Sequence, residues 1–136
     1  MATYYYDRNG IAIVHLYHDH LFLMNGQPIA FFRNNGVFNL RGRLLGYQED
    51  GWIRDKNSCA VLYTDEHNGV GPLPPIPKVP PIPAVPSIPS VPPIPPIPPI
   101  PPVPSYNWSR LNATAFFKEP LNNSPPNLPN IQSCIK

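Results

Sequence analysis

Histidine and aspartate side chains lie close together between residues 15 and 20, and their types suit metal binding. The group consists of His15, His18, Asp19 and His20. On an extended strand, His18 and His20 would point to one side and Asp19 to the other. A zinc site usually needs four converging ligands, so His18 and His20 supply half of a metal site. His67 could join them only if the end of the chain's repeat region closes onto its beginning.

The sequence shows no recognisable catalytic motif. The sequence contains no Ser-His-Asp arrangement, phosphate-binding loop or paired carboxylates. Asp7 and Asp55 hold equivalent positions in turns, where aspartate accepts hydrogen bonds from nearby backbone N–H groups. A net charge of +2 with 13% charged residues shows no nucleic-acid footprint. We therefore expect no enzyme activity and no cofactor.

A repeat of 16 residues supplies the framework that positions these side chains. Turn residues recur at Gly10, Gly26, Gly42 and Ser58, and each lies between two short apolar runs. A fixed period with shared residue character indicates one structural unit used four times. The offset that holds His15 holds aromatic residues in the other units, at Phe31, Tyr47 and Tyr63. His15 is thus expected in the core rather than on a metal.

Each unit has the pattern of a strand, a tight turn, a second strand and a polar link. An isolated hairpin is unstable in water, so all four must share a core. A linear meander would leave two open edges, and exact repetition favours a ring. The prediction is an all-β fold over residues 1–69, with four consecutive 16-residue β-hairpins in a pseudo-fourfold arrangement.

The repeat region resembles a known family in several short runs. These are Tyr6-Asp7-Arg8-Asn9-Gly10, Asn25-Gly26-Gln27-Pro28-Ile29-Ala30, Leu44-Leu45-Gly46-Tyr47 and Gly51-Trp52-Ile53-Arg54-Asp55. They are similar to the bacterial four-fold β-flower domain, over about residues 3–67. The resemblance implies four hairpins arranged as petals, and it brings no catalytic residue with it.

Residues 70–104 form a proline tract, with 18 of the 23 prolines of the chain. Proline recurs at every third position and restricts the residue before it, which predicts a polyproline II helix with three residues per turn. An aliphatic residue precedes each of these prolines and forms a stripe along one side. The stripe residues are Ile76, Val79, Ile82, Val85, Ile88, Val91, Ile94, Ile97, Ile100 and Val103, with Leu73 before them.

Three roles are open to the tract: a semi-rigid spacer, a surface for self-association, and a ligand for an SH3 or WW domain. Branched aliphatics left in water would form a larger apolar strip than a monomer normally exposes. Proline-rich ligands usually need flanking charge for orientation, and the tract has only Lys78. Self-association is therefore favoured over the domain ligand.

The rest of the chain divides into an aromatic segment, 105–119, and a tail, 120–136, that is expected to be disordered. Trp108, Phe116 and Phe117 should dock on hairpins, and on those of another chain if the tract is straight. A short helix is expected in this segment. Cys59 and Cys134 are too few for a disulfide framework, so reduced thiols are expected.

The sequence has no signal peptide and no long apolar run, which predicts a cytoplasmic protein without a membrane span. Three hypotheses about function follow. The first is a structural or interaction module whose polyproline II stalk mediates assembly or presentation. The second is an adaptor whose tract binds a partner's aromatic groove. The third is a small metal- or ligand-binding protein that uses the link from His18 to His20.

Overall fold

The computed structural model describes residues 3–85, 101–118 and Cys134. It contains eight strands and one helix in the described ranges. The strands are β1 (Thr3–Tyr6), β2 (Ala12–Tyr17), β3 (His20–Leu23), β4 (Pro28–Arg33), β5 (Gly36–Asn39), β6 (Leu44–Glu49), β7 (Trp52–Asp55) and β8 (Ala60–Tyr63), and the helix is α1 (Ala113–Phe117). No helix in these ranges is long and apolar enough to cross a membrane.

The eight strands pair in sequence order and close into an antiparallel barrel. β1 pairs with β8 through Tyr6 and Tyr63, which closes the ring. This confirms the all-β fold built from consecutive hairpins and excludes the linear meander. The turns at Gly10, Gly26, Gly42 and Ser58 all lie at one end of the barrel, which we call the turn end, because each joins an odd-numbered strand to the next.

The opposite end of the barrel, which we call the link end, carries the polar links. Asn34 and Asn35 link β4 to β5 with φ values of 52° and 67°. His18 and Asp19 link β2 to β3 with φ values of 49° and 64°. Consecutive positive φ angles make the tightest connection between antiparallel strands, and asparagine and aspartate tolerate them best. The links therefore form because short polar residues separate the apolar runs.

One hydrophobic cluster takes a residue from each of the eight strands and fills the barrel. From β1 to β8 the cluster includes Tyr5, Val14, Leu21, Ala30, Val37, Leu45, Ile53 and Leu62. Six of these are fully buried: Val14, Leu21, Ala30, Val37, Ile53 and Leu62.

Helix α1 packs against this cluster through Phe116 and Phe117. Asn112 caps its first turn, because the side-chain oxygen accepts a hydrogen bond from the Ala115 backbone at 2.8 Å. A Cβ atom at Gly46 would lie 3.0 Å from the Phe116 ring. The same Cβ atom would clash still more closely with the Arg54 carbonyl oxygen on β7, so glycine in β6 makes room for the neighbouring strand as well as for the helix. A short helix is present in this segment.

The C-terminal segment completes the seam between β8 and β1. These two strands share one residue pair, whereas the other strand pairs share three or four. Residues 105–109 run parallel to the start of β8 and fill the space. The Ala60 N–H donates to Asn107 at 3.1 Å, and the Ser109 N–H donates to Ala60 at 2.6 Å.

Cys59 and Cys134 form a disulfide across 75 residues of chain. The expectation of two free thiols is therefore wrong. Cys134 also forms a bridge with Ser109, so the bond lies beside the segment that completes the seam. The composition could not show this pairing, because it depends on the fold bringing together two residues 75 positions apart.

Candidate functional site

The proline tract lies against the turn end of the barrel. The Lys78 N–H donates to the carbonyl oxygen of Gly10 at 2.8 Å, in the turn between β1 and β2. The Ala84 N–H donates to the carbonyl oxygen of Met24 at 2.9 Å, in the turn between β3 and β4. Both donors stand at tract positions that proline does not occupy, because proline has no N–H to give.

Glycine permits the close approach of the tract at both turns. Gly10 and Gly26 have φ angles of +79° and +90°, a region that favours glycine. A Cβ atom on Gly10 would lie 3.0 Å from the Ile76 carbonyl oxygen, and one on Gly26 would lie 2.9 Å from that of Val85. The tract therefore advances nine residues, from Ile76 to Val85, between these two turns, which lie 16 residues apart in sequence.

The far end of the tract meets the fourth turn. The Ser58 hydroxyl donates to the carbonyl oxygen of Pro102 at 2.7 Å. The Ser58 carbonyl oxygen accepts a hydrogen bond from the Ser105 N–H at 3.1 Å. The described tract residues thus contact the first, second and fourth turns, so these parts of the tract pack on the hairpins of their own chain. The structure assigns neither helix nor strand to these tract residues.

Arg54 fastens the two ends of the tract to the barrel. Its Nη1 donates to the carbonyl oxygens of Ser58 at 3.0 Å and Ser105 at 3.1 Å. Its Nη2 donates to the carbonyl oxygen of Val70, where the tract begins. Only a planar group with several donors can reach three separate chain segments in this way.

The guanidinium is buried, with 2% of Arg54 exposed. Burial lowers the pKa of Arg54, and the charges of Glu49, Asp50 and Asp55 act in the opposite direction. The group also lies 5.7 Å from the Trp52 ring centroid. Arginine keeps its proton in proteins, so this is a buried cation held by carbonyl oxygens and an aromatic face.

The stripe of the tract faces solvent. The described stripe residues are 86–96% exposed: Leu73, Ile76, Val79, Ile82, Val85 and Val103. The prolines that follow them are half-buried: Pro74, Pro77, Pro80, Pro83 and Pro104. The tract thus turns proline toward the barrel and aliphatics away from it. Five predicted stripe residues lie outside the described residues: Ile88, Val91, Ile94, Ile97 and Ile100.

The three predicted docking aromatics contact hairpins of their own chain. The Trp108 ring lies 6.0 Å from that of Trp52 and 6.1 Å from that of Tyr63. Phe116 and Phe117 belong to the cluster inside the barrel. These rings therefore dock within their own chain, and no second chain is needed to receive them.

The structure separates the two histidines that were predicted to face a metal. His18 is exposed in the link and has a positive φ, so it does not continue the extended strand. His20 is buried, and its Nδ1 lies 3.0 Å from the His18 carbonyl oxygen. No group of three metal-ligating side chains occurs among the described residues. His15 is buried beside Phe22, with ring centroids 5.7 Å apart.

Arg54 is the main feature of this site that the sequence interpretation missed. Its repeat position holds an aromatic residue in the other three units, at Tyr6, Phe22 and Phe38. A charged residue at a buried repeat position was therefore the available signal. Its partners are backbone carbonyls far away in sequence, which no spacing rule identifies.

Comparison with known proteins agrees with this architecture. Residues 3–117 match the family model described as 4-fold beta flower protein. No curated protein and no solved structure matches the chain. The matched range contains all eight strands, the proline tract and α1, so it extends well beyond the repeats that carried the resemblance. The chain therefore belongs to the four-fold β-flower family.

Proposed function

We propose that this protein is a non-enzymatic interaction module whose proline tract presents the aliphatic stripe for assembly with another copy or another protein. The exposure of the stripe carries the proposal. Six branched aliphatics at 86–96% exposure are unusual in water. The hairpins hold the tract by its proline side, which supports a role in presenting the aliphatic side.

The described stripe has the area that an interface needs. Burying one aliphatic side chain contributes about 1.5–3 kcal/mol, at about 25 cal/mol per Å² of apolar surface. Dividing the first figure by the second gives the apolar area of one side chain, and six such side chains present roughly 400–700 Å². A standard interface buries about 800 Å² on each partner. The described stripe alone approaches that area, and a second copy would bring a matching surface.

An aromatic groove fits the tract less well. Grooves of the SH3 and WW type grip proline together with its preceding aliphatic residue. Here Pro77, Pro80 and Pro83 are half-buried, while Ile76, Val79 and Ile82 are exposed. A groove would have to lift the tract off the barrel first. This contrast favours a partner that takes the aliphatic side alone.

A cytoplasmic location remains part of the proposal and has a direct check. Cytosolic thiols are usually reduced, whereas Cys59 and Cys134 are bonded in the structure. Thiol titration of protein taken directly from its source measures which state holds there. Two free thiols per chain would support a cytoplasmic location, whereas the absence of free thiols would contradict it.

Solution mass tests the role of the stripe. Light scattering of the full chain should show an oligomer that persists in high salt, because apolar association is not screened. At about 500 mM salt, where charge-driven contacts are screened, the variant Ile76→Thr/Val79→Thr/Ile82→Thr should be a monomer with an unchanged circular dichroism spectrum. The matched control Ile11→Thr/Leu40→Thr changes two exposed apolar residues outside the tract and should keep the oligomer.

Two results would overturn the proposal. One is a wild-type protein that is monomeric in solution and that, when immobilised on a column, retains no protein that the triple variant fails to retain. The other is a triple variant with the same mass and binding as wild type.

A further inference from the structure

The two ends of the barrel carry opposite charge, and we infer that the turn end of one copy binds the link end of the next. This contact is distinct from association through the stripe, because it involves the barrel ends and acts through charge. The partner is a second copy of this chain.

The turn end is basic. Lys56 and Arg41 lie in turns between strands, and Lys78 is held there by its hydrogen bond to Gly10. Ser109 accepts a hydrogen bond from Arg8 at 3.2 Å, which places its neighbour Arg110 beside the first turn. The described cations of this end are Arg8, Arg41, Arg43, Lys56, Lys78 and Arg110, and all but Arg8 are exposed.

The acids of the turn end do not cancel this charge. Asp55 is buried and accepts hydrogen bonds from Cys59 and Ser109. Asp7 is half-buried and accepts from the backbone of its own turn. Both carboxylates are therefore bound to backbone groups of the turns or to a hydroxyl group, whereas five of the six cations are exposed.

The link end is acidic. The segment after β8 folds back beside the last link, because Asn68 donates to Asp50 at 2.9 Å and Thr64 donates to Gly51 at 2.9 Å. The carboxylates of this end are Asp19, Glu49, Asp50, Asp65 and Glu66, and all five are exposed. Arg33 is half-buried there, at the end of β4.

The separation of the two ends lets them act as independent patches. Strands of four to six residues rise about 3.3 Å per residue and tilt by about 40°, giving a barrel about 10–15 Å high. The Debye length at physiological salt is about 8 Å. Each patch is therefore screened from the other and can attract an opposite charge on another molecule.

Charge complementarity selects the arrangement of the copies. Two turn ends would bring like charges together, and so would two link ends, which costs free energy. A turn end against a link end pairs cations with carboxylates. Such a contact joins two different surfaces, so each added copy leaves one free end of each kind and the assembly can grow along the barrel axis.

Reversing the charge of the link end, and separately cancelling that of the turn end, tests the inference. The link-end variant is Glu49→Lys/Asp65→Lys/Glu66→Lys, and the turn-end variant is Lys56→Glu/Lys78→Glu/Arg110→Glu. All six side chains are exposed, so both proteins should fold, which circular dichroism checks. Sedimentation velocity at about 20 mM salt should show wild type assembled and each variant alone at least about tenfold weaker in self-association.

Mixing the two variants makes the test directional. An equal mixture pairs the basic turn end of the link-end variant with the acidic link end of the turn-end variant, so association should increase over that of either variant alone, and about 500 mM salt should abolish this increase. Wild type that stays monomeric at low salt would overturn the inference, as would two variants that do not recover on mixing.

The stripe variant keeps this test separate from the proposed function. Ile76→Thr/Val79→Thr/Ile82→Thr leaves every charge in place, so the salt-sensitive association should survive in it. If association is instead lost in the stripe variant and is insensitive to salt, the stripe alone accounts for assembly and the charge inference is wrong.

Discussion

Arg54 donates a hydrogen bond to the carbonyl oxygen of Ser105 at 3.1 Å, across 51 residues of sequence. The same side chain reaches Val70, so one guanidinium holds the chain where the proline tract begins and where it ends. The tract is attached at the turns as well, but this contact joins its two ends at one point of the barrel.

We expect Arg54→Lys to lower the free energy of unfolding by about 2–3 kcal/mol, because an ammonium group cannot serve three carbonyl oxygens with the same geometry. Urea unfolding followed by tryptophan fluorescence measures the change. Arg33→Lys is the matched control, at a half-buried position on β4, with an expected change within about 0.5 kcal/mol. Equal losses in the two variants would show that Arg54 has no special role.

Ser58 combines a positive φ of 66° with a hydroxyl bonded to Pro102. Ser58→Ala removes the hydrogen bond and keeps the strain, so we expect a loss of about 1–2 kcal/mol. Ser58→Gly also removes the bond but relieves about 1 kcal/mol of strain, so its stability should be close to wild type. Thermal unfolding ranks the two variants, and a more stable alanine variant would contradict the assignment.

Trp108 should stabilise the seam through its contacts with Trp52 and Tyr63. We expect Trp108→Ala to cost about 2–4 kcal/mol, less than a fully buried tryptophan since it is half-buried. Tyr106→Ala is the control, because that side chain is 69% exposed, and it should change stability little. Chemical unfolding compares the two, and a neutral Trp108→Ala would show that the seam does not need the ring.

The disulfide closes a loop of 75 residues that contains the whole tract. The chain-entropy model gives such a loop an upper value of about 4 kcal/mol. Reduced wild type and oxidised Cys134→Ser should therefore lose similar stability, up to that amount, in unfolding experiments with and without reductant. Two thiols titrating in unfolded, unreduced protein would contradict the bond itself.

His15 should make stability depend on pH. Its imidazole is buried and burial lowers its pKa, so the unfolded chain binds the proton more readily. Stability is then complete above the unfolded pKa of about 6.5 and falls as pH drops below it. Thermal unfolding from about pH 7.5 to 5 should show this decline, and His15→Phe, the residue type at the equivalent Phe31, should reduce it.

The exposed His18 provides the control for this pH effect. His18→Asn keeps a residue that tolerates the positive φ of 49°, so the pH dependence should match that of wild type. A variant at His18 that flattens the curve as much as His15→Phe would place the titrating group in the link instead.

The hairpins were predictable because their signals are local. Gly10 and its equivalents mark turns, and the links consist of residues that accept positive φ. The burial of both faces was harder to assign to individual residues. The pairing shifts between Tyr5 and Tyr6 and again between Leu21 and Phe22, so neighbouring residues are buried together and simple alternation fails.

The path of the tract was not predictable from its composition. Proline spacing indicates a stiff chain, but the contacts that hold it are single backbone hydrogen bonds such as that from Lys78 to Gly10. Backbone carbonyls exist at every residue, so the sequence contains no mark of which ones are used. The disulfide between Cys59 and Cys134 has the same origin, since it depends on where the tail arrives.

The nine-residue advance from Ile76 to Val85 against a 16-residue hairpin repeat restricts how this architecture can evolve. Duplication or loss of one hairpin would change the circumference that the tract has to follow. A compensating change of nine tract residues, which is three of its tripeptides, would be needed to return Arg54 to both ends. The number of hairpin repeats in the first half of the gene and the number of proline tripeptides in the second half should therefore vary together among related proteins.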